Sequence, residues 1–139
     1  MRRFNLMAMM LLTVLMFSTL VKAQDATGNL SKDAIKSLVK GIKSDNEGLN
    51  RSCINFAGKY RVEEAVDALV SKMSAEKNPN LRVLIALSLY EIRDAKGLEA
   101  VREQSLSDED ATVRKISAMI FTEYVKNSNE DFASIKSKF

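Results

Sequence analysis

Apolar residues recur three and four places apart through most of this chain, and the segments they define return at an interval of 32. Leu49, Leu81 and Val113 fall in register. So do Ile54, Ala86 and Ala118; Ala57, Leu89 and Phe121; and Tyr60, Ile92 and Tyr124. Polar positions keep the same step, with Asn46, Asn78 and Asp110 in one row and Asn50, Arg82 and Arg114 in another. A fixed interval of this size marks stacked units, each burying its apolar face only against its neighbours.

The spacing predicts seven short helices. The first covers residues 32–43, with Ile35, Leu38, Val39 and Ile42 on one face, Ser31 as its cap and Ser44-Asp45-Asn46 as its end. The second, 47–60, is expected to bury Leu49, Cys53, Phe56, Ala57 and Tyr60, with Gly58 permitting a neighbouring helix to come close. Val66, Leu69, Val70 and Met73 define the third, over 62–74. Asn78 followed by the chain's only proline, Pro79, opens the fourth, which carries Leu81, Leu84, Ile85, Ser88, Leu89 and Ile92 on one side. Val83 and Leu87 lie off that side, so this helix should meet neighbours all round. Asp94 caps a fifth reaching about 105, with Leu98 and Val101 inward, and Asp110 caps a sixth over 111–126. Residues 130–139, holding Phe132, Ile135 and Phe139, form a last piece that leaves the repeat and closes the stack. Strand-like alternation is absent from the sequence, and the class is all-α.

The stretch from Asn80-Leu81-Arg82 through Asp94-Ala95-Lys96-Gly97-Leu98-Glu99-Ala100-Val101 resembles a HEAT repeat, in particular the short variety of phycobilin-lyase-like proteins. Asp110 to Tyr124, with Val113-Arg114, repeats its first half. Asn46 to Leu69 keeps the apolar framework but has Asn50 in place of the arginine, and Arg61-Val62-Glu63 in place of the aspartate turn. The resemblance implies a short α-solenoid of about three helix pairs wound as a right-handed superhelix, opened by an orphan second helix at 32–43. It also implies an inter-repeat hydrogen-bonded ladder from the helix-start residue and the arginine four places on, here Asn78 with Arg82 and Asp110 with Arg114.

The N-terminus changes the picture of charge and location. Arg2 and Arg3, an apolar run over 6–20 and Val21-Lys22-Ala23 read as a secretory signal peptide, residues 1–23, cleaved before Gln24. The run is short of the roughly 20 residues of a membrane span, so no stable insertion is expected after cleavage. Residues 24–31 read as a flexible start to the mature chain, and 32–139 as the HEAT-like domain, exported to a periplasm or secreted. Loss of Arg2, Arg3 and Lys22 takes the 21 basic residues to 18, equal to the 18 acidic ones. A neutral, scattered charge pattern argues against nucleic acid as a partner. Cys53, the single cysteine, can form no internal disulfide and reads as a small buried residue.

Candidate chemistry is sparse. The chain has no histidine, which removes the usual general base and the commonest metal ligand. Asp108-Glu109-Asp110 lacks the alternating ligands and central glycine of a calcium loop, and its charge suits a helix start. Neither a catalytic residue, a metal nor a cofactor is expected. Surface remains: the outward positions of the second helices align as Lys36, Asp67 and Glu99, then Lys40, Ser71 and Glu103, a candidate partner-binding strip without an aromatic anchor. The other candidate is the end carrying Phe132, Ile135 and Phe139. The expectation is an exported, non-catalytic module binding an unidentified protein, monomeric or weakly self-associating. A cofactor- or chromophore-handling accessory related to the lyases, or a self-associating structural protein, are the alternatives.

Overall fold

The structure, a computed structural model, describes residues 30–136, with side chains through 129. The expected signal peptide, nearly all of 24–31, Phe139 and the side chains of Phe132 and Ile135 lie outside the described residues. Six α-helices occur among those described: α1 (Lys32–Ile42), α2 (Glu47–Lys59), α3 (Val66–Ala75), α4 (Pro79–Ile92), α5 (Ala95–Ser107) and α6 (Ala111–Lys136). A 3-10 turn, Glu63–Ala65, leads into α3.

Side-chain caps start five of the six. Ser31 Oγ accepts from the Ala34 N–H at 3.2 Å, and Asn46 Oδ1 from Leu49 at 2.9 Å. Asn78 Oδ1 accepts from Asn80 at 3.0 Å, with Pro79 at the first helical position. Asp94 Oδ1 takes the N–H groups of Lys96 and Gly97, and Asp110 Oδ1 those of Thr112 and Val113. Each such cap satisfies helix-end donors and contributes about 1 kcal/mol.

The ends of α2 and α4 explain where the sixth helix departs from expectation. Arg61 and Arg93, 32 residues apart, both sit in the left-handed region at φ 51° and 64°, turning the chain out of the helix. The aspartate turn and its Arg61-Val62-Glu63 replacement therefore leave the helix in the same way, and then differ, the second passing through a 3-10 turn without a side-chain cap. The matching third position is Val125, whose branched Cβ disfavours that conformation. There the helix continues, and the expected sixth and seventh helices are one rod of 26 residues.

Packing forms two layers. Helices α2, α4 and α6 lie side by side in one, and α1, α3 and α5 in the other, with each second-layer helix also touching the first-layer helix that follows it. Ile42, Ile54, Leu69, Ile85, Leu89 and Val101 are sealed between the layers. Gly58 lets α2 meet α4: a Cβ there would stand 2.9 Å from Ser88 Cα. Gly41 plays the same part for α1, since a Cβ would fall on the Cys53 sulfur.

Burial differs from expectation on α2. Asn50, Ile54, Ala57 and Gly58 are its buried positions, whereas Leu49 is 50%, Phe56 39% and Tyr60 49% exposed. Cys53 is half-buried rather than buried. Their counterparts Leu81, Ile85, Ser88 and Ile92 are covered, because α2 itself packs on that side of α4. Among the described residues no first-layer helix precedes α2, so the same row meets solvent. Leu87 is likewise exposed, so α4 has one free side.

Candidate functional site

The row of Asn50, Arg82 and Arg114 braces the loops between units. Asn50 Nδ2 donates to the carbonyls of Ile42 at 2.6 Å and Ser44 at 3.2 Å. Arg82 Nη1 donates to Glu76 O at 3.0 Å and Lys77 O at 3.1 Å, and Arg114 Nη1 to the carbonyls of Asp108 and Glu109. In all three units the carbonyl six residues upstream is bound. That same upstream residue accepts from the backbone N–H two places on: Ser44 from Asn46, Glu76 from Asn78, and Asp108 from Asp110. Loop and helix start are thus fixed together.

A buried bond between units runs through Asp108, whose sequence context points only to helix-start charge. Arg82 Nε and Nη2 each donate to an Asp108 carboxylate oxygen at 2.8 Å, with both side chains 6% exposed. Asn78 and Asp110, expected both to cap their helices and to join the ladder, make the caps, and the bond to the next unit is made by Arg82 with Asp108. A guanidinium reaches the next loop because it is long and carries paired donors in a plane. Burial pushes the Asp108 carboxyl up, but the bonds from Arg82 and the Asp110 N–H outweigh it and hold the group below its ordinary value. The bonds from Asp108 also raise Arg82 above the usual arginine range.

All six strip residues are exposed, on the outer side of α1, α3 and α5. Asp67 is bound at 2.6 Å by Lys96 Nζ, which ties α3 to α5, and Glu99 is held by Arg102 one turn away. These are exposed pairs of little energetic weight, and Lys36, Lys40, Ser71 and Glu103 complete a polar, solvated face. Glu103 comes together with Arg82 at the wall of a cavity of about 520 Å³, beside Glu76, Asp108 and Glu109. The guanidinium there is already paired.

The surface that sequence reasoning missed is the α2 row of Leu49, Phe56 and Tyr60. Phe56 and Tyr60 have their ring centroids 4.4 Å apart, and Lys59 Nζ lies 5.4 Å from the Tyr60 centroid. Aromatic side chains exposed together in this way are typical interaction anchors. The signal was present in the repeat itself, since the first unit of a stack exposes what every later unit covers. Among the described residues no group of three metal-donor side chains converges, and no helix is long and apolar enough to cross a membrane.

Two layers of paired helices, linked only to nearest neighbours, define an α-solenoid. The model of HEAT repeats matches residues 35–120, more than half of the chain, and the protein belongs to that family. No curated protein matches the chain.

Proposed function

We propose that this chain is an exported, non-catalytic HEAT-repeat module that binds a partner protein at the head of its stack. The observation that carries the reading is the exposure of Leu49, Phe56 and Tyr60 at positions whose counterparts on α4 are covered by a helix. The occupant that fits is an amphipathic helix of the partner, lying where a preceding first-layer helix would lie. HEAT repeats in general mediate protein–protein contacts, which supports the same reading. Export rests on Arg2, Arg3, the apolar run over 6–20 and Val21-Lys22-Ala23. N-terminal sequencing of the exported product tests it, with Gln24 as the expected first residue.

The binding test compares crosslinked captures from the exported fraction. Wild type and a Glu99→Lys/Glu103→Lys variant should recover the same partner, and Phe56→Asp/Tyr60→Asp should lose it. Retention by the α2 variant, or no partner at near-native abundance with wild type, overturns the reading.

A further inference from the structure

The three units share one brace and differ in its length. Arg82 is surrounded by Glu76, Lys77, Gln104, Asp108 and Asp110. Thirty-two residues earlier those places are taken by Ser44, Asp45, Lys72, Glu76 and Asn78. Together with Glu47, Asn50 and Leu81 they line a cavity of about 250 Å³. At this cavity an asparagine stands where the next unit has an arginine. Asn50 is 1% exposed and spends its amide N–H groups on Ile42 O and Ser44 O, while its Oδ1 accepts from no protein group. A buried amide oxygen left in that state is costly, and a donor reaching it would relieve that cost.

Chemistry narrows the donor. Glu76 lines the same cavity, and its carboxylate takes the Asn78 N–H on Oε1 at 2.9 Å and Lys72 Nζ near Oε2 at 3.0 Å, each oxygen retaining a lone pair. Asp45 and Glu47 are exposed at the rim, which disfavours an anion. A metal ion would need a converging set of donors that the described residues do not form. A planar group with several N–H donors fits a carboxylate, an amide oxygen and loop carbonyls at once, as Arg82 does one unit along.

We infer that this cavity binds a guanidinium group, presented by an arginine side chain of the partner protein. The inference rests on the interaction reading above and adds its recognition chemistry. The incoming group bonds to Asn50 Oδ1 and Glu76, and Lys72 swings outward to the solvent its side chain already touches.

The test uses the purified protein and N-acetyl-arginine amide, read by NMR at the Asn50 side-chain amide. A saturable shift with a midpoint in the millimolar range is expected. N-acetyl-lysine amide should bind roughly tenfold more weakly or worse, because an ammonium cannot serve the separated acceptors together. The uncharged citrulline analogue should leave Asn50 unmoved. Asn50→Arg sets the chain's own guanidinium against Glu76 and should abolish binding. Glu76→Gln, a milder change, should weaken it by roughly tenfold through loss of a charge-assisted bond. Circular dichroism checks that both variants fold. Should Asn50→Arg not fold, the ligand series and Glu76→Gln decide. An Asn50 resonance that ignores the arginine amide, or responds equally to lysine, overturns the proposal. Because the titration needs no partner, its failure leaves the capture experiment standing, and the reverse holds too.

Discussion

Replacing Asp108 by alanine tests whether the buried pair holds the units together. Both side chains of the Arg82–Asp108 pair are 6% exposed, and two bonds of 2.8 Å join them. Removing one partner of such a pair costs about 3–5 kcal/mol, because the other charge stays buried. Arg82 keeps the carbonyls of Glu76 and Lys77 and a contact at 3.4 Å to Glu109, which places the loss near the lower bound. The Asp110 N–H also loses its acceptor. A total of about 3 kcal/mol is a large share of the 5–15 kcal/mol that a domain of this size has available. In urea unfolding the midpoint should drop by about 2 M with the slope unchanged. Asp108→Asn, which retains an oxygen acceptor, should lose about half as much. A loss below about 1 kcal/mol for Asp108→Ala would place the pair with ordinary surface ion pairs and refute the brace.

Acid should act on the same contacts. Glu76 is held below its ordinary value by the Asn78 N–H and, against its burial, by Lys72, and Asp108 is also lowered. A carboxylate with a depressed folded-state value adds stability above its unfolded value and loses it as the pH falls through the folded one. Urea midpoints should therefore hold steady above pH 5 or so and decline below about pH 4, less steeply in Asp108→Ala. Asn50→Arg should raise stability by about 1 kcal/mol in the same assay, by giving Glu76 a guanidinium partner. Gly58→Ala should cost about 1–3 kcal/mol, because the new methyl meets backbone at Ser88 Cα. Gly97→Ala meets the Leu89 side chain, Cδ2 at 2.9 Å, and no backbone, so melting temperatures should separate the two glycines. Cys53, raised by burial, should react with iodoacetamide more slowly than a free thiol at pH 8, read by mass spectrometry.

Periodicity makes the helix starts readable in advance, since Ser31, Asn78, Asp94 and Asp110 cap where the pattern places them, and Asn46, read as the end of the first helix, caps the second. Position within the stack was harder to see. Leu49 and Leu81 are the same residue type in the same register, yet one is exposed and the other covered, because coverage comes from a neighbouring unit. Asp108 reads as charge at a helix start, since nothing local in sequence shows that a side chain 26 residues upstream reaches it. The continuation of α6 depended on one branched residue, Val125, at a corner where the other units place arginines. The six outward strip residues were placed correctly as exposed, but exposure alone does not separate a binding face from a solvated one.

The Arg82 bond to Asp108 spans 26 residues, and the bond from Asn127 Nδ2 to the Tyr90 hydroxyl spans 37, little more than one repeat. Chains whose contacts stay this close along the sequence pay little loop-closure entropy on the way to the native state, so folding should be fast. Helix α4, which touches both other first-layer helices and, of the second layer, α3 and α5, is the natural nucleus. Truncations such as Ile85→Val should then slow refolding, whereas Leu38→Ala in α1 should mainly hasten unfolding, a division that stopped-flow chevrons would reveal.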